Sequence, residues 1–141
     1  MPSLAYSYGP GVLTLIPTPN SGEAISVDRE LAILLDRIID RSYSLTTNYT
    51  RFLNLVNTWQ HETQFAPSVY EMVLSPSYQQ VIGLGQEAIP WILKELERNP
   101  DHWFWALKSI TGVDPVKSSN QGNIKEMAND WLEWGKENGH V

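Results

Sequence analysis

The chain has 141 residues, a hydrophobic fraction of 42% and an aromatic fraction of 11%, values of a folded domain and not of a disordered chain. Cysteine is absent and the net charge is −6, which excludes a disulfide framework, a thiolate metal site and a cysteine nucleophile. The acidic balance also argues against broad contact with a phosphate backbone, which requires clustered Lys and Arg; a basic partner protein is the easier electrostatic match.

Residues 1–22 hold no charged side chain but carry Pro2, Pro10, Pro17 and Pro19. Proline at that density blocks a helix, while Leu4, Tyr6, Tyr8, Val12, Leu13, Leu15 and Ile16 make the segment too apolar for a solvated tail. It reads as an extended arm with a short strand at Val12–Ile16. The arm lies on its own domain, docks on another chain with Tyr6, Tyr8, Leu13 and Leu15 as candidate contacts, or is simply disordered. Its longest apolar run is interrupted and lacks a preceding positive region, so it is not expected to be a secretory signal. No stretch approaches the roughly 20 apolar residues of a membrane span. Together with the missing cysteines, this places the expected protein in the cytoplasm, away from membranes.

The division between arm and domain is expected after residue 22. Val27, Leu31, Leu34, Leu35, Ile38 and Ile39 then recur at three and four, the stripe of an amphipathic helix. Ser26 is placed to cap it. Arg29, Arg37 and Arg41 interleave with Asp28, Asp36 and Asp40, a pattern of ion pairs along a helix surface. With Arg51 these arginines form the alternative reading, a nucleic-acid contact. Ser42–Thr46 reads as a connector to a second helix bearing Tyr49, Phe52, Val56 and Trp59, which should end around Thr63 to Pro67. A short helix over Val69–Leu74 and another launched by Ser75 and Pro76 are expected next.

Val81–Thr111 reads as one helical hairpin. Its first helix opens beside Gly85 and carries Ile89, Ile92, Leu93 and Leu96; Pro90 falls inside it and should bend its entrance. Asn99-Pro100-Asp101 breaks the chain. The second helix carries Trp103, Ala106, Leu107 and Ile110 on one face, and Gly112 suits its left-handed end. Trp105 lies about 200° around that helix from Trp103, so the two cannot face one core. Either neighbours wrap the helix on nearly all sides, or part of the aromatic face is exposed. Phe104, Trp105 and Trp91 are therefore candidate partner contacts, since tryptophan is enriched among binding hot spots. After a loop over Val113–Gly122, a last helix from Asn123 to Glu137 aligns Ile124, Met127, Ala128, Trp131 and Leu132, stopped by Gly135 or Gly139.

The run Leu84-Gly85-Gln86-Glu87-Ala88-Ile89-Pro90-Trp91-Ile92-Leu93 resembles the first helix of a HEAT-type repeat, and Ala106-Leu107-Lys108-Ser109-Ile110-Thr111-Gly112 the end of a second repeat helix. The longer string from Tyr78 through Asp101-His102-Trp103-Phe104-Trp105 to Trp131-Leu132-Glu133-Trp134-Gly135 is similar to a set of small bacterial helical proteins with a HEAT-like C-terminal half. The resemblance covers a little under half of the chain and one repeat, whereas a solenoid needs about three or more. It implies a helical interaction scaffold and carries over no catalytic residue.

Catalytic signatures are weak. His61-Glu62 begins like a zinc-protease helix, but Phe65 stands where the second histidine belongs. Asp101 and His102 are adjacent only in sequence, and Gly83-Leu84-Gly85 lacks the rest of a dinucleotide loop. The expected protein is therefore a single all-α domain of about five to seven helices over residues 23–141, with a HEAT-like hairpin at 84–112. It is expected to be a non-catalytic, acidic protein-binding module without cofactor or metal, either an antitoxin-like neutraliser of a basic partner or an accessory subunit of a larger bacterial complex. In that reading nucleic acid is reached only through the complex. The competing readings are a small hydrolase or transferase using His61, Glu62, Asp101 and His102, and an accessory protein binding nucleic acid through the arginine-bearing helix.

Overall fold

The structure, a computed structural model, describes residues 28–141 in full and, before them, the backbone of two strands. These are β1 (Leu4–Gly9) and β2 (Val12–Pro17), antiparallel, with Tyr6 opposite Leu15 and Tyr8 opposite Leu13. The side chains of the expected arm, its boundary after residue 22 and the expected cap Ser26 lie outside the described residues. From residue 28 on, every regular element is helical, as the apolar spacing predicts. The chain divides into two compact units, Met1–Thr46 and Thr47–Val141.

Helix α1 runs unbroken from Arg29 to Thr63, 35 residues. Asp28 caps it: its carboxylate accepts the Glu30 N–H at 3.2 Å and its carbonyl accepts the Ala32 N–H at 3.2 Å. The connector expected over Ser42–Thr46 does not exist. No Gly or Pro stands between Arg29 and Thr63, and the hydroxyl of Thr46 donates back to the Ser42 carbonyl at 2.9 Å. Thr58 and Thr63 do the same toward Asn54 and Trp59. Hydroxyls that could have opened a turn are thus satisfied within the helix. The expected surface pairing is also missing, because no ion pair among the described residues involves Arg29, Arg37 or Arg41.

The second unit, Thr47–Val141, holds the core. Helix α2 (Val69–Leu74) is capped by Ser68 and α3 (Pro76–Gly83) by Ser75, whose hydroxyl accepts the Tyr78 N–H at 3.3 Å. A 3-10 turn over Gly85–Ala88 precedes α4 (Ile89–Arg98). Pro90 consequently sits in the first turn of α4 and not inside a longer helix. There its missing N–H is one that the helix start leaves without an internal partner anyway. Helix α5 (Phe104–Thr111) ends on left-handed Gly112 at φ 74°. Helix α6 (Ile124–Glu137) starts at the Asn123 cap and ends near left-handed Gly139. Gly135 does not stop it; a Cβ there would stand 2.6 Å from Leu93 Cδ1, so the glycine admits α4 close against α6.

The two helices read as a hairpin pack more on other elements than on each other: α4 lies mainly on α6, and α5 on α3. Trp59 of α1, Tyr78 of α3 and Trp103 before α5 meet at the centre, with ring centroids 4.4–5.5 Å apart. Ile89, Ile92, Leu93, Leu96, Leu107 and Trp131 fill the space around them. Full burial of each aliphatic side chain contributes about 1.5–3 kcal/mol, so this cluster dominates the unit's stability. The Trp59 indole donates to the Met72 carbonyl at 2.8 Å. Those of Trp103 and Trp131 are buried without an acceptor among the described residues, and packing alone holds them. No described helix is long and apolar enough to cross a membrane.

Candidate functional site

At the start of α5 three consecutive aromatic residues take three different roles. Trp103 is fully enclosed, Phe104 is nearly so, and Trp105 is 56% exposed. The helical turn between Trp103 and Trp105 is too large for both to enter one core, and no described neighbour encloses the outer side. Trp105 makes no ring contact among the described residues. Instead it borders a cleft of about 220 Å³ lined by Val69, Val73, Phe104, Val116 and Met127, with His102, Lys108, Asp114 and Gln121 at the edge. That volume is below the roughly 300–1,000 Å³ of small-molecule sites. It suits one or two inserted side chains.

One wall of the cleft is the loop between α5 and α6, and α6 holds it through Asp130. This carboxylate is only 5% exposed. It accepts from the Asn120 amide at 2.8 Å and from the Lys117 N–H at 3.0 Å, and the Lys117 ammonium lies 3.4 Å away. The Asn120 hydrogen bond first, and the Lys117 N–H second, hold the Asp130 carboxyl below its usual range. At the rim Lys108 and Asp114 pair at 2.8 Å, which lowers the Asp114 carboxyl, with help from the Val116 N–H. The wall is therefore held by charge-assisted hydrogen bonds as well as by the packing of Val116 on the core.

Trp91, the second aromatic candidate, is engaged within the protein. It is partly buried against the core, 5.4 Å from the Tyr49 ring and 5.7 Å from Phe52. Beside it lies a depression of about 240 Å³ lined in part by Arg98, whose guanidinium donates to both Glu95 oxygens at 2.7 and 3.0 Å. Phe104 forms part of the floor of the Trp105 cleft and is too buried to be a free anchor. Tyr6, Tyr8, Leu13 and Leu15 pair across the β1–β2 backbone, and their side chains lie outside the described residues.

The residues of the enzyme reading are dispersed. His61 lines an open hollow formed by residues of the last turns of α1 and by Gln64 just after it, whereas His102 lines the Trp105 cleft. Glu62 accepts from the Ser77 hydroxyl at 3.2 Å, and Asp101 accepts the His102 N–H at 2.8 Å. Arg51 donates to Gln80 at 3.3 Å. Among the described residues no group of three or more His, Asp or Glu is placed to hold a metal ion. The contributions of Val69, Val116 and Met127 to the cleft were not foreseen; the helical spacing marks Met127 only as core. Compared with known protein families, curated proteins and solved structures, the chain gives no match.

Proposed function

We propose that the protein is a non-catalytic protein-binding module that takes an apolar side chain of its partner into the cleft beside Trp105. The half-exposed indole at the mouth of an apolar, side-chain-sized cleft carries this reading, because tryptophans in such positions are frequent energetic anchors. The net charge of −6 favours a partner with a basic surface. An accessory subunit of a larger assembly, or a neutraliser of a basic protein, would use the module in this way. The resemblance of residues 84–112 to a HEAT-type hairpin points to the same scaffold role.

The test is affinity capture with the full chain, comparing the wild type with Trp105→Ala and with Phe65→Ser as a control at another exposed aromatic. Quantitative mass spectrometry should show a basic protein lost with Trp105→Ala and retained with Phe65→Ser. Equal recovery by all three chains would overturn the proposal.

A further inference from the structure

Helix α1 carries a mostly apolar stripe, interrupted by Ser42 and ended by Thr63. Leu31, Leu35, Ile38, Ser42, Leu45, Tyr49, Phe52, Val56, Trp59 and Thr63 follow one another at alternating steps of four and three. That is a 3.5-residue period, and a stripe of this period stays in register only along another helix that coils with it. Phe52, Val56, Trp59 and Thr63 are buried in the core. Leu31, Leu35 and Ile38, however, are 42–61% exposed, as is Leu34 at the edge of the stripe. Burial of this kind of patch is ordinarily demanded of a folded chain.

No other described helix matches α1 in length. The next longest, α6, has 14 residues and is already packed on α4. The exposed positions themselves carry no charge. The charges of the same stretch come in both signs, Asp28, Glu30, Asp36 and Asp40 against Arg29, Arg37 and Arg41, and none of them is in an ion pair among the described residues. A second copy therefore meets no like-charge field here, although each whole chain carries −6. We infer that residues 29–45 of α1 pair with the same residues of a second copy, forming a two-helix homodimer seam.

The size of the seam sets the strength of the dimer. Seventeen helical residues span about 25 Å, and a helix is about 10 Å wide, so the face covers on the order of 250 Å² in projection. A stable standard interface takes about 800 Å² per partner. The dimer is thus a concentration-dependent one.

Sedimentation velocity of the full chain, from low to high micromolar concentration, tests this directly. The wild type should move from the monomer mass of 16.0 kDa to twice that value as concentration rises. The Leu35→Asp/Ile38→Asp double variant should stay monomeric with unchanged helical circular dichroism, since both positions are exposed in the monomer. Ile33→Asp, on the opposite side of the helix, should dimerise like the wild type. A wild type that remains at the monomer mass throughout overturns the inference, as does equal dimerisation of the double variant. So does a monomer in which removal of residues 1–22 alone deprotects residues 31–38 to hydrogen exchange, which would give the stripe to the chain's own N-terminal segment.

Discussion

The rings of Tyr78 and Trp103 lie face to face, 5.2 Å between centroids and 3° between planes, in the middle of the second unit. The Tyr78 hydroxyl extends past the indole to the first turn of α5. It donates to the His102 carbonyl at 2.8 Å and accepts the Ala106 N–H at 3.0 Å. One side chain thus fills the core and satisfies an N–H that a helix start leaves without an internal partner. Tyr78→Phe keeps the ring and removes both bonds. Urea denaturation should report a loss of about 1–3 kcal/mol, the range for leaving a buried backbone donor unpaired. A loss below a few tenths would show that the hydroxyl has no capping role.

The neighbouring tryptophans should respond in opposite ways. Trp103→Ala empties a fully buried site and should cost about 3–5 kcal/mol. Trp105→Ala removes an exposed side chain and should change stability by no more than about 0.5 kcal/mol. Thermal denaturation of the two variants side by side separates a structural from a surface role at positions two residues apart.

Asp130→Ala should free the loop without unfolding the unit. Its carboxylate is the shared acceptor for Asn120 and the Lys117 N–H, so hydrogen exchange at Lys117 and its neighbours should accelerate while the amides of α4 keep their protection. Uniform acceleration across both would mean that the residue supports the whole fold instead.

Acid should act on the same wall. Asp130 and Asp114 both titrate below the ordinary value of 3.8 in the folded chain, Asp130 chiefly through Asn120 and Asp114 chiefly through Lys108. A depressed carboxyl contributes stability above its unfolded value, and that contribution disappears as pH falls through the folded one. The loop should therefore hold at pH 5 and loosen below about 3.8. Nuclear magnetic resonance of the Lys117 and Val116 amides over that range is the check; movement of these amides between pH 7 and 5 would contradict it.

Gly135→Ala sets two effects against each other. Alanine improves helix propensity by about 1 kcal/mol, but its Cβ would stand 2.6 Å from Leu93 Cδ1 and 3.0 Å from Val141 Cγ2. Leu93 is fully enclosed and cannot swing away, so overpacking at about 1–3 kcal/mol should prevail. A melting temperature above the wild type would reverse that ranking.

The helices of the second unit were legible because their signals are local. Ser75 before Pro76, Gly112 after Ile110 and the spacing of Ile92, Leu93 and Leu96 each act within one or two turns. The break expected at Ser42–Thr46 failed because polar residues weaken a helix without ending it, and here their hydroxyls bond back to the preceding turn. Pro90 was misjudged because the 3-10 turn at Gly85–Ala88 shifts where the α-helix begins. The cleft was half legible. Angular spacing alone separates Trp105 from Trp103, whereas the wall pinned by Asp130 depends on partners 10 and 13 residues away, whose meeting no periodicity announces.

The uneven burial of the tryptophans has an optical consequence. Trp59, Trp103 and Trp131 are sealed in the core, Trp91 and Trp134 are partly covered, and Trp105 alone of the six stands more than a third exposed. The red edge of the intrinsic fluorescence, and the fraction accessible to a collisional quencher such as iodide, therefore belong mainly to one indole at the mouth of the cleft. Occupation of the cleft is readable without a label, as a blue shift and a loss of quenching against a constant background from the buried rings.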